Sequence, residues 1–126
     1  YRAVGIEVVP ELDDLLARVD VLAFDTTSAG YEASALGIPT VVLSAPWYRR
    51  DVHHGLRFYD AIPGPEIDPT GDALEDAESL GCAAMLATRP HWREHQAMIA
   101  AQVYPPETRG RAATLAADAL VESDVA

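Results

Sequence analysis

The residues most suited to chemistry in this chain lie in one short run, Asp25-Thr26-Thr27-Ser28-Ala29-Gly30. Hydroxyls and a carboxylate there meet two small residues where an apolar stretch gives way to a helical one. The amides opening a helix have no partner within it, and they sit at the positive end of its dipole. Thr27 and Ser28 could add hydroxyl donors to those amides, and Ala29 and Gly30 would let a ligand approach the backbone, so the run is suited to an anion and above all to a phosphate. Ser and Thr at such positions also serve as ordinary caps that bind only their own backbone, and both readings stand. Glu32 lies four residues past Ser28 on the same helix face, where its carboxylate could accept hydrogen bonds from a ribose or simply face water.

A second group follows in Ser44-Ala45-Pro46-Trp47-Tyr48-Arg49-Arg50-Asp51-Val52-His53-His54-Gly55. Arg49 or Arg50 could neutralise a diphosphate, and His53 or His54 could donate to a phosphate or a leaving oxygen. In the alternative, the Arg pair is solvated and Trp47 and Tyr48 pack on the sheet. Further on, His91-Trp92-Arg93-Glu94-His95 matches the H-x-x-E-H spacing that lets two histidines share zinc. The helix carrying it follows an Arg-Pro break, and a third ligand is wanting, so no metal is expected there. No Asp-x-Asp pair marks a divalent site either, and no cofactor is expected. Cys82, the single cysteine, excludes an internal disulfide, fits a reducing cytoplasm and reads as helix core.

These residues depend on the elements around them. Val21-Leu22-Ala23-Phe24 and Thr40-Val41-Val42-Leu43 are apolar runs without polar alternation, as in central strands covered on both faces of a parallel sheet. Between them a short helix is ended by Gly37 as a left-handed cap, and Pro39 prevents its resumption. This is one βαβ unit, and its strand-to-helix turn would lie at the carboxyl edge of the sheet, where open α/β sheets bind ligands.

Before it, Val4 to Val9 reads as a further strand stopped by Pro10, and Glu11 to Val19 as a helix with Leu12, Leu15, Leu16 and Val19 at the 3.6 period. After it, Ala61 to Asp68 with Pro63, Gly64, Pro65 and Pro69 is a constrained crossover with at most a short edge strand at Glu66-Ile67. Thr70 or Asp72 caps a helix running to about Thr88, with Leu74, Ala77, Leu80, Ala84 and Met85 inward. Pro90 opens a helix from His91 to about Val103, broken by Tyr104-Pro105-Pro106. Thr108 to Val121 forms the last, with Ala112, Leu115, Ala116, Ala119 and Leu120 inward, and Ser123 to Ala126 fraying. The expected fold class is α/β, a Rossmann-like parallel sheet of three or four strands flanked by helices.

The whole is 126 residues, long enough for one domain that buries about two thirds of its unfolded surface. A net charge of −11, with nine basic residues that are all Arg, argues against nucleic acid or an anionic membrane surface as partner. No apolar run is long enough for a transmembrane segment, and no signal peptide opens the chain. The first residue is Tyr1, so the chain reads as a piece of a longer protein. A sheet edge left open in this way would favour a homodimer.

The order Asp25-Thr26-Thr27-Ser28, Tyr31-Glu32, Ala35-Leu36-Gly37-Ile38-Pro39 and then an apolar strand resembles the nucleotide-diphosphate segment in the C-terminal half of glycosyltransferases with the B-type fold. Trp47-Tyr48-Arg49-Arg50, Gly55-Leu56-Arg57-Phe58-Tyr59-Asp60 and Pro63-Gly64-Pro65 are similar to signatures of the CDP-glycerol glycerophosphotransferases, the teichoic-acid polymerase family. The resemblance covers roughly Asp20 to Ile67, with an echo at Arg109-Gly110-Arg111-Ala112. Two positions depart from it: Thr26 stands where the family has an aromatic residue, and Glu32 where it has Asp.

The resemblance implies residues 1–126 as a single nucleotide-diphosphate-binding domain, a fragment without its N-terminal acceptor domain. It implies a donor such as CDP-glycerol held at Thr27, Ser28, Ala29, Gly30, Arg49 and Arg50, with ribose on Glu32 and His53 or His54 near the leaving group. The whole enzyme would move glycerol phosphate, or a sugar, to a polyol phosphate or glycan in cell-envelope polymer synthesis. It would work in the cytoplasm, at the inner membrane face, with its catalytic base outside this chain. A sugar-nucleotide epimerase of the same architecture is an alternative, as is a non-catalytic remnant that binds a nucleotide or a partner.

Overall fold

A computed structural model describes residues 4–25, 27–44, 62–108 and 110–125. Its centre is a small three-stranded parallel sheet of β1 (Leu22–Phe24), β2 (Thr40–Leu43) and β3 (Glu66–Ile67), in the order β1-β2-β3. Leu22 pairs with Thr40 and Phe24 with Val42, while Val42 pairs in turn with Glu66. The helices among the described residues are α1 (Leu12–Leu16), α2 (Ala29–Ala35), α3 (Ala73–Ala87), α4 (Pro90–Val103) and α5 (Ala112–Val125), with a 3-10 turn at Pro106–Thr108.

Among the described strands only β2 is central, and its sequence shows why: Val41 and Val42 are both buried, on opposite faces. Val42 joins Leu22, Phe24, Leu16 of α1 and Ala33 of α2 in one core. Val41 packs against Ala83 and Ala87 of α3 in another. A third cluster, Tyr31 with Ile99, seats α4 on α2. Helices thus cover both faces of the sheet, as unbroken apolar strands require.

β1, read from the sequence as central, is an edge strand among the described residues, and Ala23 on it is exposed. The segment expected as a further strand, Val4 to Val9, is not one. Val4 and Ile6 are exposed, Gly5 has a left-handed φ of 80°, and the segment is tied down by an exposed Glu7–Arg18 ion pair. β-branched residues make a strand only where a neighbour offers hydrogen bonds and a face to bury, and neither is supplied here.

The helices differ from expectation in similar ways. α1 is shorter than Glu11 to Val19. α3 sits on the sheet through Ala83 and Ala87, so Leu74, Met85 and Cys82 are exposed, contrary to the inward stripe expected for the first two and the core position expected for Cys82. Small residues allow the closer approach to β2 and leave the bulky ones outside. α5 starts later and runs further than expected, to Val125. From Ala112 to Ser123 it is exposed apart from half-buried Leu115, because no described element lies opposite its apolar stripe. No helix among the described residues is long and apolar enough to cross a membrane.

Local chemistry fixes the ends. Asp72 caps α3, accepting from the amides of Leu74 and Glu75. Thr70 serves another carboxylate: Asp76 accepts from the Thr70 amide at 2.7 Å, the Thr70 hydroxyl at 2.8 Å and the Gly71 amide at 3.0 Å. Chiefly through the Thr70 amide, these bonds hold the Asp76 carboxyl below its usual 3.8. A depressed carboxyl stabilises above its unfolded pKa, and the contribution is lost as pH falls through the folded value. The protection factors of the Thr70 and Gly71 amides, corrected for the pH dependence of intrinsic exchange, are therefore expected to fall on acidification below that range. In Asp76→Asn the same amides should show no such acid step; a step that persisted would assign it to another group.

Candidate functional site

All three strands run the same way, so their carboxyl ends share one edge of the sheet. β1 leads there into Asp25, Thr27 and Ser28, β2 into Ser44 and β3 into Asp68. The expected anion residues Thr27, Ser28, Ala29 and Gly30 come together on this edge at the start of α2. Arg49, Arg50, His53 and His54, with the signatures from Trp47 to Asp60, lie outside the described residues, as do Thr26 and Arg109.

The two hydroxyls behave differently. Thr27 Oγ1 accepts from the Ala29 amide at 3.3 Å, a local turn bond. Ser28 occupies the cap position in a helical conformation and makes no side-chain cap bond. Its exposed hydroxyl is thus not spent on its own helix. The amides of Ser28 and Gly30 have no acceptor among the described residues.

Gly30 has a role that its smallness alone did not reveal. It is buried, and a Cβ at this position would overlap the outer ring atoms of Phe24. The glycine lets the β1 aromatic ring slide under the first turn of α2, which seats that turn on the strand before it. Pairwise spacing could not show this, although a Phe placed six residues before a Gly across a strand-to-helix turn is the signal that carries it.

Glu32, one turn into α2, is half-buried and lines an open hollow of about 430 Å³ with Asp13, Leu16, Ala35, Leu36 and Tyr104. Asp13, Leu36 and Tyr104 are not among the expected site residues; an apolar Leu immediately before the helix-ending Gly is the available clue. The end of α2 is fixed as the sequence suggested. Gly37 has φ 76°, its amide donates to the Ser34 carbonyl, and the Ile38 amide donates to the Ala33 carbonyl, the paired bonds of a Schellman cap.

α4 holds α2 in place through a buried polar tie. Gln96 donates through Nε2 to Ser34 Oγ and to the Ile38 carbonyl, and accepts through Oε1 from Arg93. Ser34 Oγ donates in turn to the Gly30 carbonyl at 2.7 Å. The Pro63-Gly64-Pro65 signature is buried beside β2, and the Val42 amide donates to the Pro65 carbonyl.

His95, half of the H-x-x-E-H pattern, has Nε2 at 3.0 Å from the Ile62 carbonyl and its ring edge-on to Trp92. His91 is exposed, and no group of three or more His, Cys, Asp or Glu among the described residues is arranged to hold a metal ion. The histidine pattern thus contributes one contact between α4 and the crossover. No family model matches this chain, and no curated protein or solved structure matches it either.

Proposed function

We propose that this chain is the donor-binding domain of a transferase that uses a nucleotide diphosphate, with the Rossmann-like architecture of the C-terminal half of a B-type glycosyltransferase. The observation that carries the reading is the unspent Ser28 hydroxyl beside the Ser28 and Gly30 amides, at the carboxyl edge of a parallel sheet. Thr27 positions the turn through its bond to Ala29, and Ser28 with the neighbouring amides receives phosphate oxygens. Their dipoles stabilise the charge that builds on the nucleotide as it leaves, an electrostatic contribution that needs no metal. Glu32 takes the ribose hydroxyls one turn further along α2. Arg49 or Arg50 adds positive charge, and His53 or His54 serves the leaving group.

By the likeness of its motifs to CDP-glycerol glycerophosphotransferases, the transferred group is glycerol phosphate, with a sugar as the alternative. The acceptor is a polyol phosphate or glycan of the cell envelope. The work is done in the cytoplasm at the inner membrane face, with a separate N-terminal domain supplying the acceptor site.

Calorimetric titration with CDP-glycerol, CDP, UDP-glucose and UDP tests this. Ser28→Ala is expected to weaken nucleotide binding about tenfold, the loss of one hydrogen bond to a charged group. Its folding should be almost unaffected, because the exposed side chain makes no cap bond. Equal affinity in Ser28→Ala and the parent would remove the claim.

A further inference from the structure

Leu36, two-thirds exposed at the end of α2, is shared by three adjoining hollows. One of about 470 Å³ runs past Leu16, Ala17 and Ile38, and one of about 430 Å³ past Glu32 and Tyr104. The third, of about 560 Å³, continues past Val103 and Tyr104 to Thr108. Together they form an apolar groove in which Leu36 is the common wall. Among the described residues, the charged ones lining it are Asp13 and Glu32, both acidic. Arg93 comes near only beyond Gly37, and its guanidinium is engaged by Gln96.

We infer that this groove docks a basic amphipathic helix of a partner protein. An apolar floor with carboxylates on its rim suits a helix that inserts Leu-like side chains and keeps Lys or Arg at its margins. A second copy of this chain is disfavoured by the same charges, since it would bring a net charge of −11 against an acidic rim. Glu32 also belongs to the nucleotide reading, so the test rests on Leu36 and Asp13, which do not.

The probe is a short fluorescein-labelled peptide of Leu and Lys patterned at helical spacing. Its controls are a scrambled peptide of the same composition and a Leu/Glu counterpart. By anisotropy, the patterned Leu/Lys peptide is expected to bind the parent chain and to bind Leu36→Ser about tenfold more weakly, as burial of a Leu is lost. Asp13→Asn should weaken it about twofold and flatten its salt dependence. Circular dichroism and nucleotide titration of Leu36→Ser show whether fold and nucleotide site are intact, so failure here is distinguishable from failure of the donor reading. Equal binding of the scrambled peptide, or of Leu36→Ser, would reduce the effect to general attraction and overturn the inference. So would binding of the Leu/Glu peptide, no binding at all, or a dimer abolished by Leu36→Ser, which would give the groove to a second copy.

Discussion

Gly64→Ala is expected to lower stability by about 3 kcal/mol, at the upper end of the usual cost of overpacking. A Cβ at this position would overlap the Thr40 carbonyl oxygen and lie 2.7 Å from the Thr40 carbonyl carbon and 2.9 Å from its Oγ1. These are mainly backbone atoms of the central strand, at a residue that is itself buried and paired with Leu22 of β1, so no rotamer change relieves the clash. Relief requires β2 and the crossover to separate, which strains the Val42 bond to Pro65 and the Ser44 bond to Ile67, two of the bonds that help attach β3. In a chain of this length the loss corresponds to about 10 °C in Tm. Thermal unfolding by circular dichroism reads it directly. An unchanged Tm would mean that the crossover can retreat from Thr40 without loss.

The second large effect concerns the turn itself. Gly30→Ala is expected to cost about 2 kcal/mol, because the added methyl enters the space of the Phe24 ring. Phe24 is only 5% exposed and is held among Leu16, Leu22, Ala33 and Val42, so it cannot swing aside freely. Phe24→Leu creates a cavity when made alone, but in the Gly30→Ala background it makes room for the methyl. The double variant should therefore lose at least about 1 kcal/mol less than the sum of the single changes. Urea unfolding of the four proteins measures the coupling. Strict additivity would show that the two residues do not meet. A Gly30→Ala protein of parental stability but poor nucleotide affinity would assign the glycine to ligand approach alone.

The βαβ unit was legible because several local rules agreed there. Thr40 to Leu43 could only be a covered strand, Gly37 and Pro39 admitted only one kind of helix end, and the short edge strand at Glu66-Ile67 followed from the prolines around it. The Val4 to Val9 segment was misread because strand preference depends on a neighbouring strand, which sequence alone does not provide. α3 was misoriented for a different reason. From Leu80 to Ala87 it is apolar almost all round, so the direction of its buried stripe was set by how closely Ala83 and Ala87 fit Val41, and not by periodicity. At the site, the types and order of Thr27, Ser28 and Gly30 were readable. What each of them does, whether as turn bond, unspent hydroxyl or seat for Phe24, appeared only with the three-dimensional contacts.

The tie through Gln96 bears on the order in which the protein can be made. Gln96 reaches Ser34 across 62 positions of sequence and also holds the Ile38 carbonyl. While the chain is being synthesised, both strands of the βαβ unit and the helix between them emerge well before α4. Until α4 arrives, the face of α2 carrying Tyr31 and Ser34 stays wet, and one wall of the later core is open to other chains. Such long-range closure is slow compared with local helix formation. Maturation of the α2 turn is thus coupled to the last third of the chain, and a ribosome paused before α4 would display an unfinished turn.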